Sequence, residues 1–476
     1  MTPEEFRRAG HAIVDWIADY RERLAKGDLP VQAQVKPGEI IARLPHAAPE
    51  QPEPFEAILR DLDSVVLPGI THWQHPRFFG YFPTAASLSS VLGDLVSTGL
   101  GVVGLNWQAS PALTELEHVT TDWLRDLLGL PPEFSGVIQD TASTASFLAL
   151  VSARERSTAY GAARDGLQGK GAPLVVYASA QAHSSVEKAA LLAGFGRHFV
   201  RAIPLDEEFR MQPVALEAAI AKDRAEGLVP CAIVGTTGTT ATTAMDPIAE
   251  LAAIARREKL WLHVDAAMGG SAMILPECRK LWDGIEGADS IVVNPHKWMT
   301  VAFDCSLYLV RDPEHLVRVM STNPSYLQTP MDTQVRNYRD WGIALGRRFR
   351  ALKIWFALRE QGVAAIRERL RRDLRNAQWL AAQVDATPGW RRVAPVPLQT
   401  VCVRHEPEGL SGEALDQHTR RWAQAVNDSG AAYVTPAMAG GRWMVRVSIG
   451  IESTEARHVE ELWQTLRDAA ETSARR

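Results

Sequence analysis

Two segments of the chain end in side chains that could do covalent chemistry together. Ser290-Ile-Val-Val-Asn294-Pro-His296-Lys297-Trp298 is an apolar run closed by a polar cluster and one lysine. Upstream, Leu260-Trp-Leu-His-Val-Asp265-Ala-Ala has the same layout and closes on an aspartate. Each reads as a buried strand that delivers a functional group at its carboxyl end, the edge where open α/β sheets place their sites. A lysine presented there can hold an aldehyde as a Schiff base. A carboxylate at the end of an apolar strand is costly unless paired; a pyridinium N–H is one adequate partner and an arginine is another. Together the two groups suit pyridoxal 5'-phosphate (PLP).

Other motifs carry less on their own. In Gln139-Asp-Thr-Ala142-Ser143-Thr-Ala-Ser-Phe-Leu, small hydroxyl residues precede an apolar helix. Free N–H groups at such a helix start favour a phosphate, although on this motif alone a plain N-cap is the more common explanation. His183 follows an apolar strand and opens a helix, where it could stack on a pyridine ring or merely cap. Thr236 ends a strand inside Val234-Gly-Thr-Thr-Gly-Thr-Thr, where its hydroxyl could reach a cofactor ring, although alone the motif is more often a glycine-rich turn. The conjunction of Asp265, Asn294, His296 and Lys297 is far more specific than any of these alone.

The elements that must position these groups can be read from periodicity. Strands are expected near residues 174–177, 231–236, 260–265, 290–294 and 305–310, and helices at 142–157, 184–193 and 247–258. Such alternation gives an α/β fold with a mostly parallel central sheet and helices on both faces. Residues 1–27 show helical spacing of Phe6, Ile13, Trp16, Ile17 and Tyr20; a proline-rich stretch and a short helix follow. We expect an N-terminal helical arm at 1–80 that packs on a partner subunit, because it holds few core residues. A large cofactor domain spans 81–375 and a small C-terminal α+β domain 376–476. Residues 320–340, rich in polar groups and containing Pro324 and Pro330, read as a long functional loop.

Composition excludes several function classes. The net charge of -5, with no long basic run, argues against nucleic acid or an anionic membrane as partner. The apolar stretch near 88–105 is too polar to span a bilayer, and the charged start does not read as a signal peptide. Four scattered cysteines without C-x-x-C spacing argue against zinc and disulfides and fit the cytoplasm.

The motifs Gly69-Ile-Thr-His-Trp73, Tyr81-Phe82-Pro-Thr84, Ala109-Ser-Pro-Ala-Leu-Thr-Glu-Leu-Glu, Ala182-His-Ser-Ser-Val, Asn294-Pro-His-Lys-Trp and Leu345-Gly-Arg-Arg-Phe-Arg-Ala-Leu-Lys go further. With them the chain resembles the PLP-dependent group II decarboxylases, among them the aromatic-L-amino-acid decarboxylases and in particular the bacterial L-DOPA decarboxylases. The resemblance runs from about residue 10 to about 465. It implies a type I PLP fold of the aspartate-aminotransferase kind and a homodimer with its active sites at the interface. By the resemblance, Lys297 is the Schiff-base lysine, Asp265 pairs with the ring nitrogen and His183 stacks on the ring. Ala142, Ser143 and Asn294 match phosphate-holding positions, and Thr236 and His296 match further pocket positions. Tyr326 matches the catalytic-loop tyrosine. Thr84, Trp73, Tyr81, Phe82, Val103, Leu105, Phe303 and Gly346, with His183, are expected to face an aromatic L-amino acid.

The implied reaction is decarboxylation of L-DOPA, 5-hydroxytryptophan, tryptophan, phenylalanine or tyrosine to the amine. Leu105 stands where animal relatives carry Phe, and Asp140 and Thr141 replace a usual Gly-Ser, which leaves the substrate ranking open. Gly346 stands where histidine-preferring relatives carry Ser, and so favours a bulky ring. Relatives with Phe at the Tyr326 position make aldehydes, so the tyrosine argues for the amine. Glutamate or sulfinoalanine decarboxylation would need a cationic side-chain pocket, and an aminotransferase a fixed arginine clamp. A non-catalytic scaffold would not need Lys297, Asp265, His183 and Tyr326 together.

Overall fold

The computed structural model describes residues 1–167 and 171–475. They form two compact units: one contains residues 84–371 with 394–400, the other residues 1–83, 372–393 and 401–476.

The first unit is built on a seven-stranded sheet of order β1-β7-β6-β5-β4-β2-β3. Its strands are β1 (Ser135–Gln139), β2 (Leu174–Ser179), β3 (Val200–Ile203), β4 (Val229–Thr236), β5 (Trp261–Asp265), β6 (Ser290–Val293) and β7 (Ser306–Val310). Strands β2 to β6 pair in parallel, while β7 runs antiparallel to both β1 and β6. The sheet is thus mostly parallel, as expected. All residues of β2, β5, β6 and β7 are buried, which explains their near-continuous apolar runs.

The helix Ala142–Ser157 begins directly after β1 and packs across β1, β4, β5, β6 and β7. Its sequence shows no single apolar stripe because it is buried almost all round, from Ala145 to Glu155. The sequence reading did not anticipate β1 or β3. Strand β1 is Ser-Gly-Val-Ile-Gln, with two large apolar residues, and β3 is a four-residue edge strand in which only Ile203 is buried. The expected long helix after Gly346 is Ala351–Ala386, interrupted at Gly362, whose φ of 74° leaves the helical region.

The second unit carries a four-stranded antiparallel-paired sheet of order β10-β11-β9-β8, from β8 (Trp390–Arg392), β9 (Thr400–His405), β10 (Thr435–Ala439) and β11 (Arg442–Ser448). Helices Gly412–Asp428 and Ala456–Ala474 pack on each other. The Trp390 ring lies 5.7 Å from that of Trp422 and 4.8 Å from that of Trp463. The N-terminal helix Pro3–Lys26 starts with a Thr2/Glu5 capping box and stops at Gly27 in the left-handed region. Of its residues only Leu24 is buried.

The β5 strand is followed by a tight turn that depends on glycine. A Cβ on Gly269 would lie 2.5 Å from the Thr237 carbonyl oxygen, a backbone atom that cannot rotate away. Gly269→Ala is therefore expected to cost about 1–3 kcal/mol, seen as a lower denaturant midpoint of the apoprotein; an unchanged midpoint would contradict the packing.

Candidate active site

The carboxyl ends of adjacent strands bring the candidate residues to one edge. Thr236 pairs with Asp265 in register, and Asp265 pairs with Val292. Backbone bonds continue the alignment past the strand ends: Thr237 N–H donates to Asp265 O at 2.9 Å, Ala266 N–H to Val292 O at 3.0 Å, and Asn294 N–H to Ala267 O at 3.0 Å. A turn then delivers the lysine, with Lys297 N–H on Asn294 O at 2.9 Å. Because β1 and β6 both run antiparallel to β7, their carboxyl ends share this edge. Gln139 at the end of β1 pairs with Ser306, whose hydroxyl donates to Asn294 Oδ1 at 2.6 Å. The start of the 142–157 helix therefore stands beside Asn294.

The electrostatics converge on the same place. Asp265 is only 5% exposed, and its Oδ1 accepts from Ala267 N–H at 3.1 Å. His183 caps the helix Ser184–Leu192, its Nδ1 accepting from Ser185 N–H at 3.2 Å. That leaves the proton of the neutral ring on Nε2. Burial lowers the His183 pKa; the Asp265 charge opposes this and the Lys297 charge adds to it, so both groups act on this imidazole. His296 is pushed down to about 4, by burial first and by Lys297 second. Its Nδ1 accepts from Cys305 N–H at 3.0 Å, and its ring meets Phe303 edge-on at 4.9 Å.

Two observations test whether these residues fit PLP. The Thr236 hydroxyl is buried and has no hydrogen-bond partner among the described residues, a costly arrangement unless a ligand satisfies it. The 142–157 helix has no side-chain cap: Thr141 makes none, so the first N–H groups stay available for a phosphate, with Ser143 exposed beside them. The plain N-cap reading thus fails here. A buried carboxylate, a half-buried lysine and an unsatisfied hydroxyl on neighbouring strand ends fit the cofactor.

The remaining expected residues fall into separate groups. Val103 packs at Gly346, where a Cβ would meet Val103 Cγ1 at 3.3 Å, and Gly104 N–H donates to Arg347 O at 2.9 Å. Leu105 is half-buried on the same segment. Thr84 precedes Ser87, whose N–H donates to Thr300 O at 2.8 Å. Tyr326 stands in solvent, 78% exposed, on the short turn Ser325–Leu327. Trp73, Tyr81 and Phe82 belong to the second unit. There Trp73 stacks on Tyr81 at 5.4 Å, and Tyr433 donates to the Tyr81 hydroxyl at 3.2 Å.

Several supporting residues escaped the sequence reading. Asp246 is buried and accepts from Thr236 N–H at 2.8 Å and Met211 N–H at 2.7 Å, and burial pushes its carboxyl up to about 7. Arg347, Arg350 and Lys353 form a second set. Arg347 is bonded to Glu117 and to Ile138 O, and Arg350 grips Asp304 at 3.0 and 3.2 Å. Lys353, fully buried, donates to the carbonyls of Ala302, Phe303 and Asp304 at 3.3 Å each. Their regular spacing within Leu345-Gly-Arg-Arg-Phe-Arg-Ala-Leu-Lys was the available signal.

Comparison with known proteins agrees with the geometry. The model of the pyridoxal-dependent decarboxylase conserved domain matches residues 37–406. The chain belongs to this family. It is 41% identical to tyrosine decarboxylase 4 of Petroselinum crispum, over 99% of this chain and 94% of that protein. It is 40% identical to a phenylacetaldehyde synthase of a Rosa hybrid cultivar, over 99% and 95%. Among solved structures, Oryza sativa TDC with PLP and tryptamine superposes with a TM-score of 0.95 at 36% identity, covering 99% of each chain. The decarboxylase is PLP-dependent and has the α/β fold of these relatives. No described helix is long and apolar enough to cross a membrane.

The buried imidazoles set a pH dependence. His75 is held at about 3, and His263, His296 and His418 at about 4, in each case chiefly by burial. Each folded-state pKa lies below the ordinary value near 6.5, so its stabilisation is complete above about pH 6.5 and is lost as pH falls toward 4. Asp246, raised to about 7, works in the opposite sense, one group against these. The apoprotein's unfolding free energy should therefore fall from pH 6.5 to 4.5, with a shallower slope in His263→Asn. A flat or rising profile would contradict the burial of these rings.

Proposed function

We propose that the enzyme decarboxylates aromatic L-amino acids to the corresponding aromatic amine and CO2. The observation that carries the reading is the shared edge of β4, β5 and β6, where Thr236, Asp265 and Lys297 end adjacent strands beside a neutral His183. The aromatic substrate is supported by the tyrosine decarboxylase and by the tryptamine complex among its relatives.

PLP, when bound, supplies an electron sink for the bond that breaks as CO2 leaves the α-carbon. In this reading Lys297 Nζ would hold the cofactor aldehyde, and the Asp265 carboxylate would keep a proton on the ring nitrogen. The His183 imidazole would face the ring, and burial, which lowers its pKa, keeps it from adding charge there. The helix start at Ala142 and Ser143, with Asn294, holds the phosphate, and Thr236 and His296 complete the pocket. Thr84, Val103, Leu105, Phe303 and Gly346 would line the side-chain end of the site, and Tyr326 delivers a proton to the α-carbon. The exposure of Tyr326 supports a loop that closes over substrate and excludes water.

The same reading places the enzyme in a homodimer with shared active sites. On the helix Leu88–Leu100, Leu88, Leu92, Leu95, Val96 and Leu100 are exposed at helical spacing, and Phe6 and Val14 are exposed on the N-terminal helix. Apolar stripes of this kind are covered in the working state of most proteins. A cytoplasmic setting is supported by four buried cysteines, none of them in a disulfide among the described residues.

A second reading has a specific observation behind it. The phenylacetaldehyde synthase relative is 40% identical, so overall identity does not separate amine from aldehyde production. The aldehyde route consumes the amino acid, O2 and water and returns aldehyde, CO2, ammonia and H2O2; O2 takes up two electrons. Tyr326, as a proton source, favours the amine.

Product analysis of the PLP-loaded enzyme in air, with aromatic and acidic amino acids, decides between them. CO2 and amine in equal amounts from the aromatic set are expected, and Lys297→Ala should lose about 10³-fold or more. Equal turnover of glutamate, or normal turnover by Lys297→Ala, would overturn the proposal.

A further inference from the structure

The loop that carries Tyr326 is tied at its C-terminal root to the segment that carries Val103 and Leu105. Asp332 accepts from Thr329 N–H at 3.1 Å, the Thr329 hydroxyl at 2.6 Å, Asn337 Nδ2 at 3.0 Å and Arg339 Nη2 at 3.3 Å. These donors hold its carboxyl below the ordinary range, the Thr329 hydroxyl most strongly. Asn337 is buried and uses both ends of its amide. While Nδ2 donates to Asp332, Oδ1 accepts from Trp107 N–H at 2.9 Å. A carboxylate can only accept and a backbone N–H can only donate, so these partners fix the orientation of the amide.

The far side of the same segment is anchored as well. Gly104 N–H donates to Arg347 O at 2.9 Å, and the Arg347 guanidinium is bonded to buried Glu117 and to Ile138 O. Residues 103–107, the root of the loop and the Arg347 backbone therefore form one hydrogen-bonded piece within a single compact unit. The turn Ser325–Leu327 lies just before this tie and has no buried residue.

We infer that Asp332 and Asn337 are positioning residues for the reaction: they couple the Tyr326 loop to the 103–107 wall, so that proton donor and substrate wall are set as one piece. The inference rests on the proposed reading of Tyr326 as proton donor. A donor displaced by a small distance loses much of its rate advantage, and the slower protonation is, the more of the reaction O2 diverts to aldehyde, ammonia and H2O2.

The test compares wild type with Asn337→Asp, which sets a carboxylate against Asp332, and with Asp332→Asn, which keeps volume but removes an acceptor. Thr329→Val removes one donor at the root and serves if Asn337→Asp does not fold. One readout is the rate of chymotrypsin cleavage after Tyr326 and Leu327, mapped by mass spectrometry on apo and PLP-loaded protein. The other is the aldehyde-to-amine ratio in air. We expect cleavage several-fold faster and a ratio raised about tenfold or more. Lower activity with both readouts unchanged overturns the inference, because that is what a merely structural role would give. Faster cleavage with an unchanged ratio overturns it too. If Tyr326→Phe then also leaves the ratio unchanged, it is the reading of Tyr326 as proton donor that has failed.

Discussion

A buried carboxylate at the end of a central strand organises this molecule. Asp265 sits at 5% exposure on the carboxyl end of β5, flanked in register by Thr236 and Val292. Burying such a charge costs several kcal/mol unless a cation or strong donors meet it. The neighbouring elements are arranged around that cost. β4 brings a hydroxyl with no partner among the described residues, β6 leads to Lys297, and β2 leads to an imidazole that burial keeps neutral. Keeping His183 and His296 uncharged matters because two added cations beside Lys297 would compete with a cationic ring for the one carboxylate. On the proposed reading, the energy invested in burying Asp265 returns as a ring nitrogen held protonated when the cofactor binds.

A second layer holds the strand ends still. Asp246 fixes the backbone of Thr236, and Ser306 fixes Asn294. Lys353 fastens the 302–304 backbone, Arg350 the Asp304 carboxylate and Arg347 the end of β1. None of these side chains needs to touch a substrate; each closes a hydrogen-bonding account that would otherwise be left open in the interior. The segment around Tyr326 is built in the opposite way: it is exposed and joined to the unit through the Asp332 and Asn337 tie.

The sequence was most legible where burial is two-sided. Strands β5 and β6 stood out because every residue is buried and most are apolar, and so the Asp and Lys at their ends stood out too. The type of fold followed from the alternation of such runs with helices. Strand β1 was missed because Ser135 and Gly136 break its apolar run; its place is set by pairing with β7 and not by its own composition. The 139–143 motif was ambiguous between a cap and a phosphate site. Only the geometry removes the cap, since Thr141 makes no such bond. Trp73 and Tyr81 were expected to face an aromatic substrate, yet their clustering with Tyr433 depends on contacts between residues far apart in the chain, which local pattern does not encode.

The central claim is that Asp265 acts by holding a charged ring nitrogen, and one measurement addresses it most directly. Asp265→Ala would be loaded either with PLP or with its N-methyl analogue, whose ring carries the charge without a proton, and bound cofactor would be quantified by absorbance. The account predicts a loss of about 10²-fold or more with PLP at full occupancy, and recovery of at least about tenfold of that loss with the N-methyl cofactor. Full activity of Asp265→Ala with PLP, or no recovery when the charge is restored, would contradict it.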